Sequence, residues 1–474
     1  MRAPGTFRSE CVPRGLAKAI TILPIACAAT GAQAHGFGQR FDLPLPLWLW
    51  VSGAGATIVL TFAAMALFFR ERSFTALSVG RSLFSVSPRV VAGARILALL
   101  VFLFTVCAGF LGAQDPYRNL ITTMVWVTWW VGFAFVCALV GDLWALASPF
   151  RIPFKGFLRY PEQLGAWPAV MLFFAFAWAE LVWHDKDVPA YLASAVLGYA
   201  VLTWTAMAVF RAEAWLRHGE AFSVAFGVLG RFAPLYAQGG TLRVRVPGAG
   251  LLAVERVPVS LAVFVLLMLS SVTCDGFFET PLMRSLETAA LSSPPLASAL
   301  FTLSEWGLDE SQTIRSATLA AFPVIFVAAF WLTAWAMLRL SKQNQSVSQT
   351  AGAFVLTLVP IAVAYHLAHY FSLLVTAGQF MIPLVSDPFG FGWNLFGTAG
   401  YKVDLGAVSP DVFWYGAVFL IVTGHVIAVV LAHVAALRLF GSARAAAASQ
   451  VPMVALMVAY TMLSLWILAQ PIVG

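Results

Sequence analysis

Charge is what this chain most lacks. Only 10% of its 474 residues are Asp, Glu, Lys or Arg, while 61% are hydrophobic, and a soluble domain of that length would have too little polar surface to cover its core. A bilayer removes that requirement. Cysteine is also scarce. Of the five present, Cys11 and Cys27 lie in the N-terminal segment, and Cys107, Cys137 and Cys274 show no Cys-x-x-Cys spacing, so no disulfide framework is implied. No His-Glu-x-x-His, Gly-x-Ser-x-Gly or Gly-Lys phosphate loop occurs, and the mechanisms built on those motifs lose their support. No internal repeat is visible either, which weakens a two-fold transporter fold. The net charge of +7 is spread over short loops rather than gathered into a basic face, so nucleic acid is not an expected partner.

What the chain has is a succession of apolar runs. Spans are expected near 47–69, 92–113, 119–147, 166–183, 189–210, 257–273, 317–338, 350–382, 412–437 and 451–470, each of a length that crosses roughly 30 Å of hydrocarbon. The fold class is therefore an all-α polytopic transmembrane helix bundle of about ten spans, with the lipid bilayer as its first partner. Residues 1–34 read as a signal peptide: Arg2, Arg8, Arg14 and Lys18 precede an apolar stretch, and Ala32-Gln33-Ala34 supplies a cleavage site. An uncleaved anchor, or a lipoprotein built on Cys27, are the alternatives. Residues 35–474 then form one transmembrane domain. With the mature N-terminus outside, 18 Lys and Arg fall in inner loops against six in outer ones, the asymmetry that orients membrane proteins. Ten spans return the C-terminus to the outside.

Three loops are longer than connectors. The inner stretch 211–256 begins with a mixed segment, Arg211 to about Tyr236, in which Arg211, Glu213, Arg217, Glu220 and Arg231 flank Phe222, Val224, Phe226, Val228 and Phe232; this segment is expected to lie in the interface plane, as a plain cytoplasmic elbow rather than a partner site. The outer loops 274–316 and 384–411 are long enough to cap the bundle. The second carries Asp387-Pro388-Phe389-Gly390-Phe391-Gly392-Trp393, whose rings either anchor at the headgroups or line a pocket for an apolar ligand.

Candidate chemistry rests on histidines at membrane depth, where a side chain that can charge is costly and usually faces the bundle interior, water or an ion. His366 and His369 are three residues apart on one expected helix, about 60° apart around its axis, and His425 lies at comparable depth in the next, antiparallel span. Three imidazoles suit copper or zinc with a position left open for water or substrate. The same residues suit axial ligation of haem. The plain alternative is that each histidine only hydrogen-bonds a neighbouring helix. His433 is nearer the inner face and is not expected to join them. Among the outer carboxylates, Asp275 follows an apolar span directly and is the candidate for orienting a ligand imidazole or acting as a base. Glu180, His184 and Asp185 end the fourth span, and Asp142 at the inner end of the third reads as structural. Cleavage after Ala34 would expose His35, whose α-amine and imidazole can chelate copper together.

The runs Ala34-His35-Gly36-Phe37-Gly38-Gln39-Arg40-Phe41-Asp42-Leu43-Pro44, Ala364-Tyr365-His366-Leu367-Ala368-His369 and Ser386-Asp387-Pro388-Phe389-Gly390 with Gly392-Trp393-Asn394-Leu395-Phe396-Gly397 resemble a family of bacterial inner-membrane fenitrothion hydrolases. The likeness extends from the expected mature N-terminus through the last spans. It implies location in a bacterial inner membrane and hydrolysis of an apolar organophosphorus triester to an aryl alcohol and a dialkyl thiophosphate, with additional subunits as partners. It carries over no catalytic residues. Joined to the histidines, it leads to the expectation of a metal centre of His366, His369 and His425 that activates water, with Asp275 beside it. The competing reading is a copper- or haem-binding membrane protein for metal delivery or electron transfer. A transporter is a third.

Overall fold

The computed structural model describes residues 45–68, 80–151, 154–252, 257–305, 307 and 309–470, together with the backbone of two short strands at 33–36 and 39–42. The remainder of the expected signal segment and the side chain of His35 lie outside the described residues. Strands β1 (Gln33–Gly36) and β2 (Gln39–Asp42) form an antiparallel hairpin.

Helices follow in the order the hydropathy dictates: α1 Leu47–Phe68, α2 Pro88–Leu111, α3 Leu120–Leu139, α4 Trp167–Leu181, α5 Pro189–Val209, α6 Ala221–Phe232, α7 Val259–Phe278, α8 Glu310–Ser341, α9 Val347–Ser386, α10 Pro410–Phe440 and α11 Ala443–Leu468. Among the described residues nine of these are long and apolar enough to cross a membrane, all but α4 and α6. Their outward faces bear large apolar side chains such as Leu60, Leu67, Leu97, Val324 and Phe419, each more than 60% exposed, as expected where lipid rather than water is the solvent. The chain is a multi-pass membrane protein. The expected fourth span is shorter than the rest: α4 has 15 residues, or roughly 22 Å of rise.

The bundle is organised around α9. Its apolar window is 89% buried, against 11% for α2 at the periphery. It packs along α10, and Gly424 allows this, because a Cβ there would collide with the Cβ of Ala364 and the carbonyl of Pro360. Pro360 follows a 3-10 turn at Leu356–Leu358, which divides α9 into an entry helix, Val347–Val355, and a core helix, Val359–Ala377.

The architecture is that of a helical bundle, and to it is added one small sheet: β3 (Arg81–Ser85), β4 (Leu235–Gln238) and β5 (Thr241–Val244) pair antiparallel in the order β3-β5-β4. It joins two loops assigned to the inner side, and Arg243 ties them by donating to the carbonyl of Gly80 at 2.8 Å. The segment 221–232 is packed into the bundle. Eight residues of α6 are buried, because Phe222 and Phe226 interlock with Trp129 at centroid distances of 4.5 and 5.9 Å. The charges that made this stretch read as amphipathic sit largely on the preceding helix, Ala212–His218, and Glu220 is consumed as the N-cap of α6, accepting from the amides of Phe222 and Ser223 and from Tyr199 Oη. Finally, Asp275 does not open an outer loop. Cys274, Gly276 and Phe278 remain packed inside, so α7 continues to Phe278 and carries Asp275 in its last turns.

Candidate functional site

The long loop 274–316 resolves into two short helices, Pro281–Ser292 and Pro294–Ser304, tied back by Arg315, which pairs with Glu287 at 3.3 Å and lies over Phe278. The loop 384–411 folds on itself. Asp387 accepts from the amides of Phe391 and Gly392, Phe389 packs edge-on against Phe104 of α2, and Phe391 and Trp393 stack beside it while staying largely exposed.

Under this end of the bundle, between α7 and α9, is the polar centre. His369 Nε2 is 2.9 Å from Asp275 Oδ2, and Tyr370 Oη donates to the same oxygen at 2.6 Å. An ionised carboxylate only accepts, which places the ring proton on Nε2 and leaves Nδ1 as the basic nitrogen. The close approach depends on Gly276: a Cβ there would be 2.7 Å from Ile467 Cγ2 and 3.1 Å from Tyr365 Oη. The side chains of His369 and Asp275 keep 17% and 22% exposure. Glu180 at the end of α4 is within electrostatic reach of both Asp275 and Tyr370.

The helix orders this centre by its own periodicity, since residues four apart share a face. Tyr365 stacks on His369, rings 8° from parallel at 5.9 Å, and Tyr370 meets His366 edge-on at 4.8 Å. His366 points the other way from Asp275, into an aromatic nest of Trp130 and Phe135 at 5.8 and 5.5 Å. Its Nε2 is buried with no hydrogen-bond partner.

His425 is held apart. Its Nδ1 donates to the carbonyl of Ile421 at 2.8 Å, its Nε2 is buried without a partner, and its ring lies 5.9 Å from Tyr460. Tyr460 bonds Thr273 Oγ1 at 2.7 Å and sits 6.2 Å from Tyr365. An aromatic chain of His369, Tyr365, Tyr460 and His425 thus connects the two helices where a shared ion was expected. Among the described residues no group of three or more His, Cys, Asp or Glu side chains is arranged to hold a metal. His433 is engaged by Gln450, and His184 pairs with Asp309 at 3.0 Å on the surface.

Tyr370, Tyr365, Tyr460 and Thr273 were not singled out from the sequence as site residues. For the first two the signal was there: Tyr-His-x-x-His-Tyr repeats a tyrosine and a histidine at intervals of four. Tyr460 and Thr273 come from distant spans, and nothing local marks them. No protein-family model matches the chain, and no curated protein or solved structure does either.

Proposed function

We propose that the protein is a membrane-embedded hydrolase of apolar organophosphorus triesters, with His369 as general base and Asp275 as its orienting carboxylate. The observation that carries this reading is the hydrogen-bonded set His369, Asp275 and Tyr370, buried at the end of a helix bundle yet partly accessible. An uncharged triester partitions into lipid and reaches such a site without crossing water. His369 Nδ1 takes a proton from water as its oxygen bonds to phosphorus. The aryl–oxygen–phosphorus bond then breaks, the aryl oxide is protonated and leaves as the alcohol, and the new P–OH belongs to the dialkyl thiophosphate. Asp275 fixes the tautomer and stabilises the imidazolium formed in between. The family resemblance supports the same chemistry, and with it a bacterial inner membrane, cleavage of residues 1–34, both mature termini outside, and further subunits. Release of aryl alcohol from fenitrothion, with solvent oxygen incorporated into the thiophosphate, is the test. Unaltered turnover by folded His366→Ala and His369→Ala proteins refutes it.

A second reading is favoured by the unpartnered Nε2 atoms of His366 and His425: a copper, zinc or haem protein, with His366, His369, His425 and an exposed His35 as ligands. For the first three to share one ion, His425 must leave the Ile421 carbonyl and the ring of Tyr460. Element-resolved metal analysis and visible spectra of the processed protein, wild type against His366→Ala/His369→Ala, decide it. Stoichiometric metal lost in the variant supports this reading, and an intact metal-free protein removes it.

A further inference from the structure

A polar cavity of about 450 Å³ lies at the far end of α7 from the His369 centre. Leu261 in its wall belongs to the first turn of that helix, whereas Asp275 is in its last turns, roughly 21 Å further along at the helical rise. The volume is within the range of small-molecule sites, roughly 300–1,000 Å³. Three arginines from three separate segments line it: Arg151 after the helix Leu143–Ala147, Arg217 on the helix Ala212–His218, and Arg231 on α6. Loop arginines orient a membrane protein from any position near a span. That role does not require them to converge on one cavity.

The positive charge in this cavity is not matched by carboxylates of the protein. Asp142, Glu220 and Glu213 are within electrostatic reach of Arg151, yet two of the three are committed elsewhere. Asp142 caps Leu143–Ala147 through the Ala145 amide, and Glu220 caps α6 through the amides of Phe222 and Ser223 while accepting from Tyr199 Oη. The third, Glu213, is exposed at the cavity's edge. Among the described residues neither Arg151 nor Arg217 is in ion-pair contact with any carboxylate. Arg151 is half-buried, and burial, then the charge of Arg95, pulls its guanidinium below the ordinary value. A cation partly withdrawn from water and short of counter-charge is costly unless an anion completes it. The cavity has room for one, because a Cβ on Gly227 in its wall would meet nothing closer than Asp142 Oδ2 at 3.8 Å.

We infer that this cavity binds a phosphate oxyanion, held by the guanidinium groups of Arg151 and Arg217, with Arg231 adding its charge from α6. Guanidinium presents a planar fork of donors that meets phosphate oxygens two at a time. Since Leu261 is in the first turn of a membrane-length helix, the cavity sits at headgroup level. The phosphate is therefore that of an anionic lipid or of a free phosphate in the adjoining water. The inference stands independently of the hydrolase reading, since it concerns binding and uses none of His366, His369 or Asp275.

The test uses the full-length protein in lipid nanodiscs and has two arms. One titrates inorganic phosphate calorimetrically into nanodiscs of phosphatidylcholine. The other counts, by native mass spectrometry, the phosphatidylglycerol retained from nanodiscs that mix it with phosphatidylcholine. Saturable binding in the first arm assigns a free phosphate, and selective retention in the second assigns a lipid headgroup. In whichever arm binding occurs, Arg151→Gln and Arg217→Gln should each weaken it about 10-fold or more, the loss of a charge-assisted hydrogen bond. Gly227→Leu keeps all three charges but fills the space in front of α6, and should weaken binding as much. Arg159→Gln removes the same charge from an exposed residue outside the cavity wall and should leave binding within about twofold, as befits an exposed charge. Melting points identify the folded variants, and Arg217, being exposed, is the substitution least dependent on them. No binding in either arm overturns the inference, as do equal losses in Arg217→Gln and Arg159→Gln, or unchanged binding by folded Gly227→Leu protein.

Discussion

Replacing Asp275 by Asn removes one charge and almost nothing else. The amide keeps the volume of the carboxyl, and its oxygen can still accept from both His369 and Tyr370, so α7 and α9 should dock as before. What disappears is the partner of a charge that exists only during turnover. With Nε2 and Oδ2 2.9 Å apart, unit charges attract by about 6 kcal/mol at an effective dielectric of about 20. Because the pair is partly accessible and the neutral imidazole already bonds to the carboxylate, only part of this is selective for the imidazolium. Taking about 3–4 kcal/mol as that part gives a fall in kcat of roughly 10²- to 10³-fold at 1.36 kcal/mol per decade. Tyr370→Phe, which removes one hydrogen bond to the same oxygen but no charge, should cost only about 10-fold or less. The assay is initial-rate release of aryl alcohol in nanodiscs at saturating triester, with melting points to show that both variants are folded. If folded Asp275→Asn turns over within threefold of wild type, the carboxylate does not support a cation on His369 and the general-base argument fails.

Other perturbations probe the scaffold. Gly276→Ala introduces a Cβ 2.7 Å from Ile467 and should destabilise by about 1–3 kcal/mol through overpacking, read as a lower melting point together with a loss of activity that exceeds the loss of folded protein. Glu220→Ala strips the cap from α6 and leaves Tyr199 Oη unpaired, so a loss of about 2–4 kcal/mol is expected, measured by denaturation in detergent; a change under about 0.5 kcal/mol would show that α6 does not depend on its cap. At the N-cap of Leu143–Ala147, burial pushes the Asp142 carboxyl above its ordinary value of 3.8, with the Ala145 amide and Arg151 opposing. A folded pKa above the unfolded one means that its stabilisation is complete below 3.8 and is lost as pH rises through the raised value. Melting points between pH 3.5 and 7 should therefore show a downward contribution that Asp142→Asn abolishes.

The bundle was legible because its physics is one-dimensional. A run of about 20 apolar residues has few options, and the expected spans at 47–69, 189–210, 412–437 and 451–470 correspond to α1, α5, α10 and α11. Boundaries failed where burial inside protein replaced burial in lipid. Asp275 reads as the start of a loop because it directly follows an apolar run, whereas His369 and Tyr370 on another helix make it a satisfied carboxylate inside α7. The aromatic stretch 221–232 was assigned to an interface because its nearest charges looked like a polar face. The tryptophans that enclose it, Trp129, Trp130 and Trp144, lie in earlier elements of the chain, beyond the reach of any local pattern. The histidines show the same limit. Spacing put His366 and His369 on one helix, but opposite demands separate them, Asp275 drawing one toward α7 and Trp130 drawing the other toward α3.

Trp130 shows how the two halves of the molecule are joined. Its ring meets His366 at 5.8 Å and Phe176 at 4.8 Å, and Phe176 in turn packs edge-on against Phe222 of α6 at 4.9 Å. A regular α-helix advances 100° per residue, so consecutive tryptophans at 129 and 130 would diverge by that amount. The wider π winding brings successive residues closer to 80° and adds a residue per turn. This lets one short segment present Trp126 to the Lys186 carbonyl and Trp129 to Phe222 while Trp130 packs against His366. A partition made of packed aromatic rings has few intermediate positions, since close-packed side chains move between discrete rotamers rather than deforming continuously. A change at Phe176 therefore acts on the same tryptophan that packs against His366.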